Sequence, residues 1–509
     1  MHTRAKTIVA LILALMLLLP AVGVLADYDG TAPVFEEKTT ISILTCNGAS
    51  KRSDVADMLW WQKVLEKANV EVELEIIEDS VYNDVVQPRL AAAQDLPDIV
   101  RVQQGAAKLT KSGIFIPLNE LIDKYGFNFK KFYDKYPQLE SSITATDGNI
   151  YYIPYIYTTE SNSRTMMLNV PFLEALGMKL EDIKTVDDLY NYLVLVRDND
   201  VNGNGDPNDE VPLFIRGGMI DLLAMYWGLD IPNTGGYAIK DGKVFNCYLT
   251  DEYRDFLRFV NKLYNENLIN KEFLSANYDM QTAAFSTNTV GSIMHFVSNA
   301  TSYSQAINPE WNFYEDEPIM QITALENNEG QPVVYGRNIL GVNFGITRFC
   351  KNPEAAMKFI DYLYSEEVGI QTWYGTEGED YNIVDGKYEF TNKYYDNVDG
   401  YRGNCGYNND AYPSYQYDYS AVQAKTIFEQ TSQVAPYTWN PTRMTKYYTD
   451  EQQDILNTYW TDLATYFSEN TTAFMIGTRS IEDEWDSFVS GAKDMGVEQV
   501  IAVYQAAEE

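Results

Sequence analysis

The chain has 509 residues, with 73 Asp and Glu against 38 Lys and Arg and a formal charge of −35 at pH 7. That balance excludes the basic stripe nucleic acid requires and disfavours a grip on anionic lipid, so no nucleic-acid partner is expected. Two histidines and four cysteines (Cys46, Cys247, Cys350 and Cys405) are too few for a zinc centre built on several histidines or for a disulfide scaffold.

At the N-terminus, Arg4 and Lys6 precede an apolar run from Ile8 to Leu19, with Pro20 and the small-residue stretch Val24-Leu25-Ala26 after it. This is the pattern of a secretory signal peptide (residues 1–26) with cleavage expected after Ala26, which places the protein outside the cytosol. Pro20 interrupts a run barely long enough to span a bilayer, which disfavours an uncleaved anchor. No cysteine stands at the cleavage position to carry lipid. The mature chain would have roughly 480 residues, too many for one core and suited to two lobes.

Thr39–Thr45 reads as a buried strand and Asp54–Ala68 as an amphipathic helix with Asp54 as N-cap. Val70–Ile77 alternates as a half-buried strand, Val85–Gln94 is a second helix, and Pro97–Val102 a third strand. Strand alternating with helix predicts a parallel α/β sheet. Asp147-Gly148 marks a turn before the aromatic strand Ile150–Tyr157. Arg164–Asn169 is strand-like, Pro171–Gly177 a short helix, and Val186–Arg197 a longer one. Helices dominate the reading from Leu222 to Leu268; Leu340–Ile346 returns to strand and Pro353–Tyr364 to helix. The span 394–419, rich in Tyr, Asn, Asp and Gly, reads as a long ordered loop, and helices around Glu451–Glu469 and Ile481–Met495 close the chain. His295, the sole histidine beyond the leader, sits in the apolar stretch Val290–Val297. It is expected to be a satisfied core residue, which leaves Ser-His-Asp chemistry without a base unless His295 itself serves.

The segment Asp198-Asn-Asp-Val-Asn-Gly-Asn-Gly-Asp-Pro-Asn-Asp-Glu210 places carboxylate and amide oxygens at every second position around two glycines. Calcium takes six to eight oxygen ligands, and a loop of this spacing supplies them. Two frames fit: one from Asp198 with Gly203 at the turn and Asp209 in the twelfth place, one from Asp200 with Gly205 at the turn and Asp209-Glu210 closing. A solvated acidic loop of Asx-turns is the plainer alternative. The strand Val211–Ile215 comes next, with Pro212 barring a helix interior. A helix–loop–strand is not the helix pair of a calcium switch, so a bound ion would be structural.

In this order the chain resembles a family 1 extracellular solute-binding protein of an ABC importer, of the large oligosaccharide-handling kind. The likeness rests on Leu96-Pro97-Asp98-Ile99, Asp147-Gly-Asn-Ile-Tyr-Tyr-Ile-Pro154, Leu176-Gly177 with Thr185, the loop Asp200–Gly205 running into Asp209-Glu210, Asn352-Pro-Glu-Ala-Ala356, and Tyr374-Gly-Thr-Glu-Gly378. It covers most of the chain after the leader. It implies an α/β, two-lobed periplasmic-binding-protein-like fold with an interlobe ligand cleft. Both lobes are discontinuous: 37–156 with 337–430, and 157–336 with 431–509. It implies a structural calcium held by Asp200, Asn202, Asn204, the backbone at Asp206, Asp209 and Glu210. The loop here is one residue longer before Asp209-Glu210, and Pro171-Phe172 stands where the family often has Asp-Trp. The resemblance also implies hinge closure on the ligand, delivery to the transmembrane subunits of an ABC permease, and a monomer that is not an enzyme.

Sugar faces call for flat aromatics, and sugar hydroxyls for Asp, Asn, Glu or Arg. The chain carries 39 tyrosines. Ligand-binding candidates are Trp60 and Trp61 on the first helix (one expected in the core and one toward the cleft), Tyr155 and Tyr157 where the chain crosses between lobes, Trp227, Trp373, Arg337 at the return crossing, and Glu377. Asp380, Trp311 and Trp439 are secondary candidates. For any single aromatic, hydrophobic core is the plainer assignment. The competing function is a secreted glycan-cleaving hydrolase with paired carboxylates. Against it, the strand–helix alternation breaks off after three strands, whereas an eight-fold barrel would continue it. A passive surface protein is a third reading, disfavoured by the compact α/β order.

Overall fold

The computed structural model describes residues 28–46, 55–157, 163–231, 236–312, 316–336, 339–391, 393, 410–417, 425–439 and 447–508. The signal peptide, the Asp54 cap, Arg337 and Cys405 lie outside these residues, as does most of the tyrosine-rich span.

The first sheet is built from β1 (Thr39–Thr45), β2 (Val70–Ile76), β3 (Ile99–Val102), β4 (Ile153–Ile156) and β12 (Leu340–Ile346), in the order β2-β1-β3-β12-β4. β1 runs parallel to β2, Thr39 opposite Val70 through Thr45 opposite Ile76, and parallel to β3, Ile43 opposite Ile99. β3 is buried at every position, whereas β2 alternates because its outer face meets solvent. β12 runs antiparallel to β3, and β4 antiparallel to β12, with a register shift between Leu340 and Asn343. The helix Leu59–Ala68 buries Trp60, Trp61 and Val64 against this sheet. It starts five residues later than Asp54, after a short turn at Val55–Asp57.

The second sheet is built from β5 (Arg164–Asn169), β6 (Val211–Phe214), β9 (Val290–Phe296), β10 (Met320–Thr323), β11 (Val334–Tyr335) and β15 (Thr438–Trp439). Its order is β15-β11-β5-β9-β6, with β10 also on β5. β6 and β9 are parallel; β5 runs against β9 with Arg164 opposite Phe296, and β11 against β5 with Tyr335 opposite Arg164. A large apolar cluster joins this sheet to the helices Val186–Asp198, Asp251–Asn265, Asp450–Met475, Ile481–Asp494 and Val497–Glu508. The first of these opens on a reciprocal cap: the Asp188 backbone N–H donates to Thr185 Oγ1, and the Thr185 N–H to Asp188 Oδ2.

Two hairpins complete the fold, β7 (Tyr237–Lys240) with β8 (Lys243–Asn246) and β13 (Tyr381–Val384) with β14 (Lys387–Phe390). Both turn on Asp-Gly pairs with positive φ, 52° and 73° at Asp241-Gly242 and 52° and 78° at Asp385-Gly386, the geometry a two-residue hairpin requires. The first hairpin interrupts the region read from sequence as helical. The helix Lys425–Val434 packs on β10, with Gln430 Nε2 donating to Gln321 Oε1 at 2.6 Å. Residues 425–430, expected with the first sheet, therefore sit with the second.

A candidate ligand cleft at the carboxyl edges of the two sheets

Strand directions locate the cleft. β4 leaves the first sheet at Tyr157, and β5 enters the second at Arg164; β11 leaves the second at Tyr335, and β12 re-enters the first at Leu340. Those four points lie on the edge where β1 and β3 of the first sheet, and β6 and β9 of the second, have their carboxyl ends. In open α/β sheets ligands bind outside the carboxyl ends of the strands. The crossings at 157–164 and 335–340 thus lie at the two edges that would enclose a ligand, and the chain passes from the first lobe to the second again between Tyr417 and Lys425.

On the first edge a polar network fills the floor. Arg101 is buried, its Nη1 donating to Cys46 Sγ at 2.9 Å and its Nη2 3.1 Å from Asp410 Oδ2. Gln103 Nε2 donates to Asp79 Oδ1 at 2.8 Å, and Asn83 Nδ2 to Gln103 Oε1 at 2.9 Å. Burial pushes the Cys46 thiol up to about 12, more than the Arg101 charge lowers it, so the sulfur stays protonated. Tyr447, leading into the helix Asp450–Met475, packs against the same apolar cluster, and Lys111 pairs with Asp450.

On the second edge stand Arg216, two residues past β6, His295 near the end of β9, and Arg164 at the start of β5. Arg216 Nη2 lies 3.3 Å from His295 Nε2, and its guanidinium is 5.9 Å from the Tyr278 ring. The Arg164 guanidinium is 4.4 Å from the Phe296 ring and 5.9 Å from that of Tyr335. Burial first, then the Arg216 and Arg164 charges, push His295 down to about 3. An arginine only donates, so His295 Nε2 accepts and the ring proton sits on Nδ1. The histidine is buried as the sequence suggested, but it packs at the cleft edge beside arginine rather than in an all-apolar core.

The residues proposed from sequence are scattered. Trp60 and Trp61 are both buried, at 2 % and 1 % exposure, and pack on Tyr412 at 5.0 and 5.3 Å, so neither ring is open to a ligand in this conformation. Tyr155 and Tyr157 lie at the crossing edge, buried and edge-to-face at 5.0 Å. Trp373 is buried in a small aromatic cluster with Tyr374 and Tyr381. Glu377 is exposed where that cluster meets β13, and Asp380 accepts from the Thr376 backbone at 2.8 Å and from Lys393 Nζ at 2.7 Å. Trp311 is buried, its Nε1 donating to the Glu317 carbonyl at 3.1 Å. Trp227 is half-buried on Phe256 and Phe259 and lines a pocket of about 1030 Å³ with Lys240, Glu252, Asn328 and Tyr437. A second cavity, about 270 Å³, is lined by Asp221, Tyr237, Tyr248 and Trp460. The sequence reading missed Arg216, Tyr278 and Arg101. An arginine directly after the apolar run 211–215 was the available signal for Arg216.

The acidic loop folds in the frame that begins at Asp200. The Gly205 backbone N–H donates to Asp200 Oδ2 at 2.9 Å and the Asn204 N–H to Asp200 Oδ1 at 3.1 Å, while Asp198 turns away to Arg197 at 2.7 Å. Asn202 Nδ2 and Asn204 Nδ2 reach Asp209 at 3.4 and 2.7 Å. Glu210 Oε1 accepts from the Val201 N–H at 3.0 Å, and Glu210 Oε2 is buried with no hydrogen-bond partner. Burial raises the Glu210 carboxyl. Among the described residues, no three His, Cys, Asp or Glu side chains close on one point.

Residues 52–370 match the family profile described as bacterial extracellular solute-binding protein. The chain is 27% identical over 377 residues to the fructooligosaccharide ABC transporter substrate-binding protein FusA of Streptococcus pneumoniae, covering 70% of this chain and 66% of FusA. It is 25% identical over 348 residues to the polygalacturonan/rhamnogalacturonan-binding protein YtcQ of Bacillus subtilis, covering 65% of each chain. It thus spans just under two thirds of the length of these curated relatives. In three dimensions it is similar to the alginate-binding protein AlgQ2 (TM-score 0.72, 23% identity, 95% of this chain and 99% of that one). FusA in complex with kestose gives a TM-score of 0.71 at 21% identity, over 92% of this chain and 98% of that one. These likenesses show the two-lobed periplasmic-binding-protein fold. With the profile matching more than half its length, the chain belongs to the bacterial extracellular solute-binding protein family.

Proposed function

We propose that this protein captures an oligosaccharide or glycan fragment outside the cytosol by hinge closure of two lobes and delivers it to an ABC permease. The observation that carries the reading is the pair of sheets joined by chain crossings at facing carboxyl edges. Such a joint lets the walls close on a ligand without breaking either core. The relatives' sugar ligands supply the ligand class. The protein is read as a monomeric binder without turnover, made with a leader cleaved after Ala26. Calorimetry across oligosaccharides, polyols and peptides tests it: stoichiometric binding of one oligosaccharide class is expected, and binding of peptides alone would overturn it. Incubation of the preferred glycan with stoichiometric protein should release no shorter products. Product formation would favour the hydrolase. Mass spectrometry of the exported protein checks the Ala26 cleavage.

The acidic loop is read as a structural calcium site held by Asp200, Asn202, Asn204, the Asp206 backbone, Asp209 and Glu210. The donor set fits a hard cation, and the partnerless buried oxygen of Glu210 is the atom a cation would satisfy. Calcium would supply charge that holds the loop's carboxylates and amides together beside β6. A chelator should lower the melting temperature by several degrees and added calcium restore it; an unchanged melting curve would remove the metal.

A further inference from the structure

We infer that the ligand carries a carboxylate, as an acidic sugar unit does, and that Arg216 on the second cleft wall receives it. This rests on the sugar-binding reading and deepens it. In a chain with 73 acidic residues, a half-buried arginine ordinarily finds a carboxylate. Among the described residues Arg216 meets none: its hydrogen-bonding contact is with His295 Nε2 at 3.3 Å, its ring contact is Tyr278 at 5.9 Å, and its Nε is buried with no acceptor. Arg101 on the opposite edge differs, since it is paired with Asp410.

Three features make the Arg216 position a receptor rather than a stray charge. His295 is held uncharged beside it, so the imidazole accepts from one guanidinium N–H and orients the group without adding a proton. Arg216 and Arg164 both stand at this edge, in a protein of net charge −35, and after burial their charges are the next causes that lower His295. Tyr278, 54% exposed at the start of the helix Tyr278–Ser286, offers a flat ring beside the guanidinium. A guanidinium is a planar fork of donors that matches the two oxygens of a carboxylate, and an adjacent tyrosine face suits a sugar ring. With no carboxylate on Arg216 among the described residues, the ligand is the group that would bring one.

The test compares, by calorimetry on the mature protein, an oligogalacturonate with its carboxyl-reduced neutral counterpart and with a sulfated oligosaccharide of equal length. The oligogalacturonate should bind about ten- to a hundredfold tighter than its reduced counterpart, the worth of one charge-assisted pair, and weaken as salt rises. R216Q should abolish that ratio while leaving the circular dichroism and melting temperature near wild type; R216K, keeping charge but losing the fork, should retain part of it. Equal binding of the acidic and neutral glycans, or an unchanged ratio in R216Q, would overturn the inference and leave the oligosaccharide reading standing. Tighter binding of the sulfated glycan would overturn the carboxylate assignment. Binding of peptides and of no glycan would overturn the functional reading itself.

Discussion

Asp361 shows how one side chain can hold distant segments together. It is fully buried, and it accepts from the Tyr28 hydroxyl at 2.8 Å, the Asn128 backbone N–H at 2.8 Å, the Phe129 N–H at 2.9 Å and Asn128 Nδ2 at 3.1 Å. Burial raises its carboxyl, yet four donors surround it. Asp361→Ala would strand buried donors from separate segments and should cost about 3 kcal/mol or more in urea denaturation. His295 supplies the pH term. Its folded value of about 3 lies below the ordinary 6.5, so the native state binds fewer protons than the unfolded chain. The stability it contributes is complete above pH 6.5 and is lost as pH falls toward 3, at about 1.4 kcal/mol per pH unit. Between pH 6.5 and 5 the wild type should therefore lose about 2 kcal/mol more than His295→Gln, measured by denaturant titration at both values. The burial of His295 was legible in sequence, but its arginine neighbour and the role of Asp361 were not. Asp361 looks like one acid in a helix until Tyr28 and Asn128, 333 and 233 positions away, fold onto it.

Among the elements, β12 is where the chain returns to the first sheet, and its register shift falls between Leu340 and Asn343. Gly341 sits in that irregularity; a Cβ there would come within 2.8 Å of the Tyr157 ring and 2.9 Å of the Tyr155 carbonyl. Gly341→Ala must push the two crossing tyrosines apart and should destabilise by about 1–3 kcal/mol, read as a lowered melting temperature. The strands of the first sheet, and β5, β6 and β9 of the second, were readable because period-two alternation and buried apolar runs are local signals; the short strands β10, β11 and β15 gave no such signal. The β7–β8 hairpin carried an equally local Asp-Gly signal, and the helical periodicity on either side overrode it in the reading. The acidic loop was readable as a turn-forming motif, and its hydrogen bonds gather on Asp200: the Gly205 and Asn204 N–H groups point at Asp200, while Arg197 takes Asp198.

Taken as one body, the lobes meet through crossing segments and, among the described residues, few polar ties. The Lys111–Asp450 pair joins them, but its side chains are 46% and 89% exposed, and such a pair holds little against solvent and salt. Under the proposed hinge closure, a bound oligosaccharide should reduce the radius of gyration measured by small-angle scattering. An unchanged radius with saturating ligand would exclude closure. The α/β class, the acidic loop and the family could all be read from the linear chain, because they rest on composition, short periodicities and motif order. Which aromatics are core and which edge bears charge emerged with the packing. Trp60 and Trp61 vanish into contact with Tyr412, and Arg216 meets His295 across 79 positions. A cleft wall is assembled from strand ends far apart in the chain, and no local pattern records which residues will meet there.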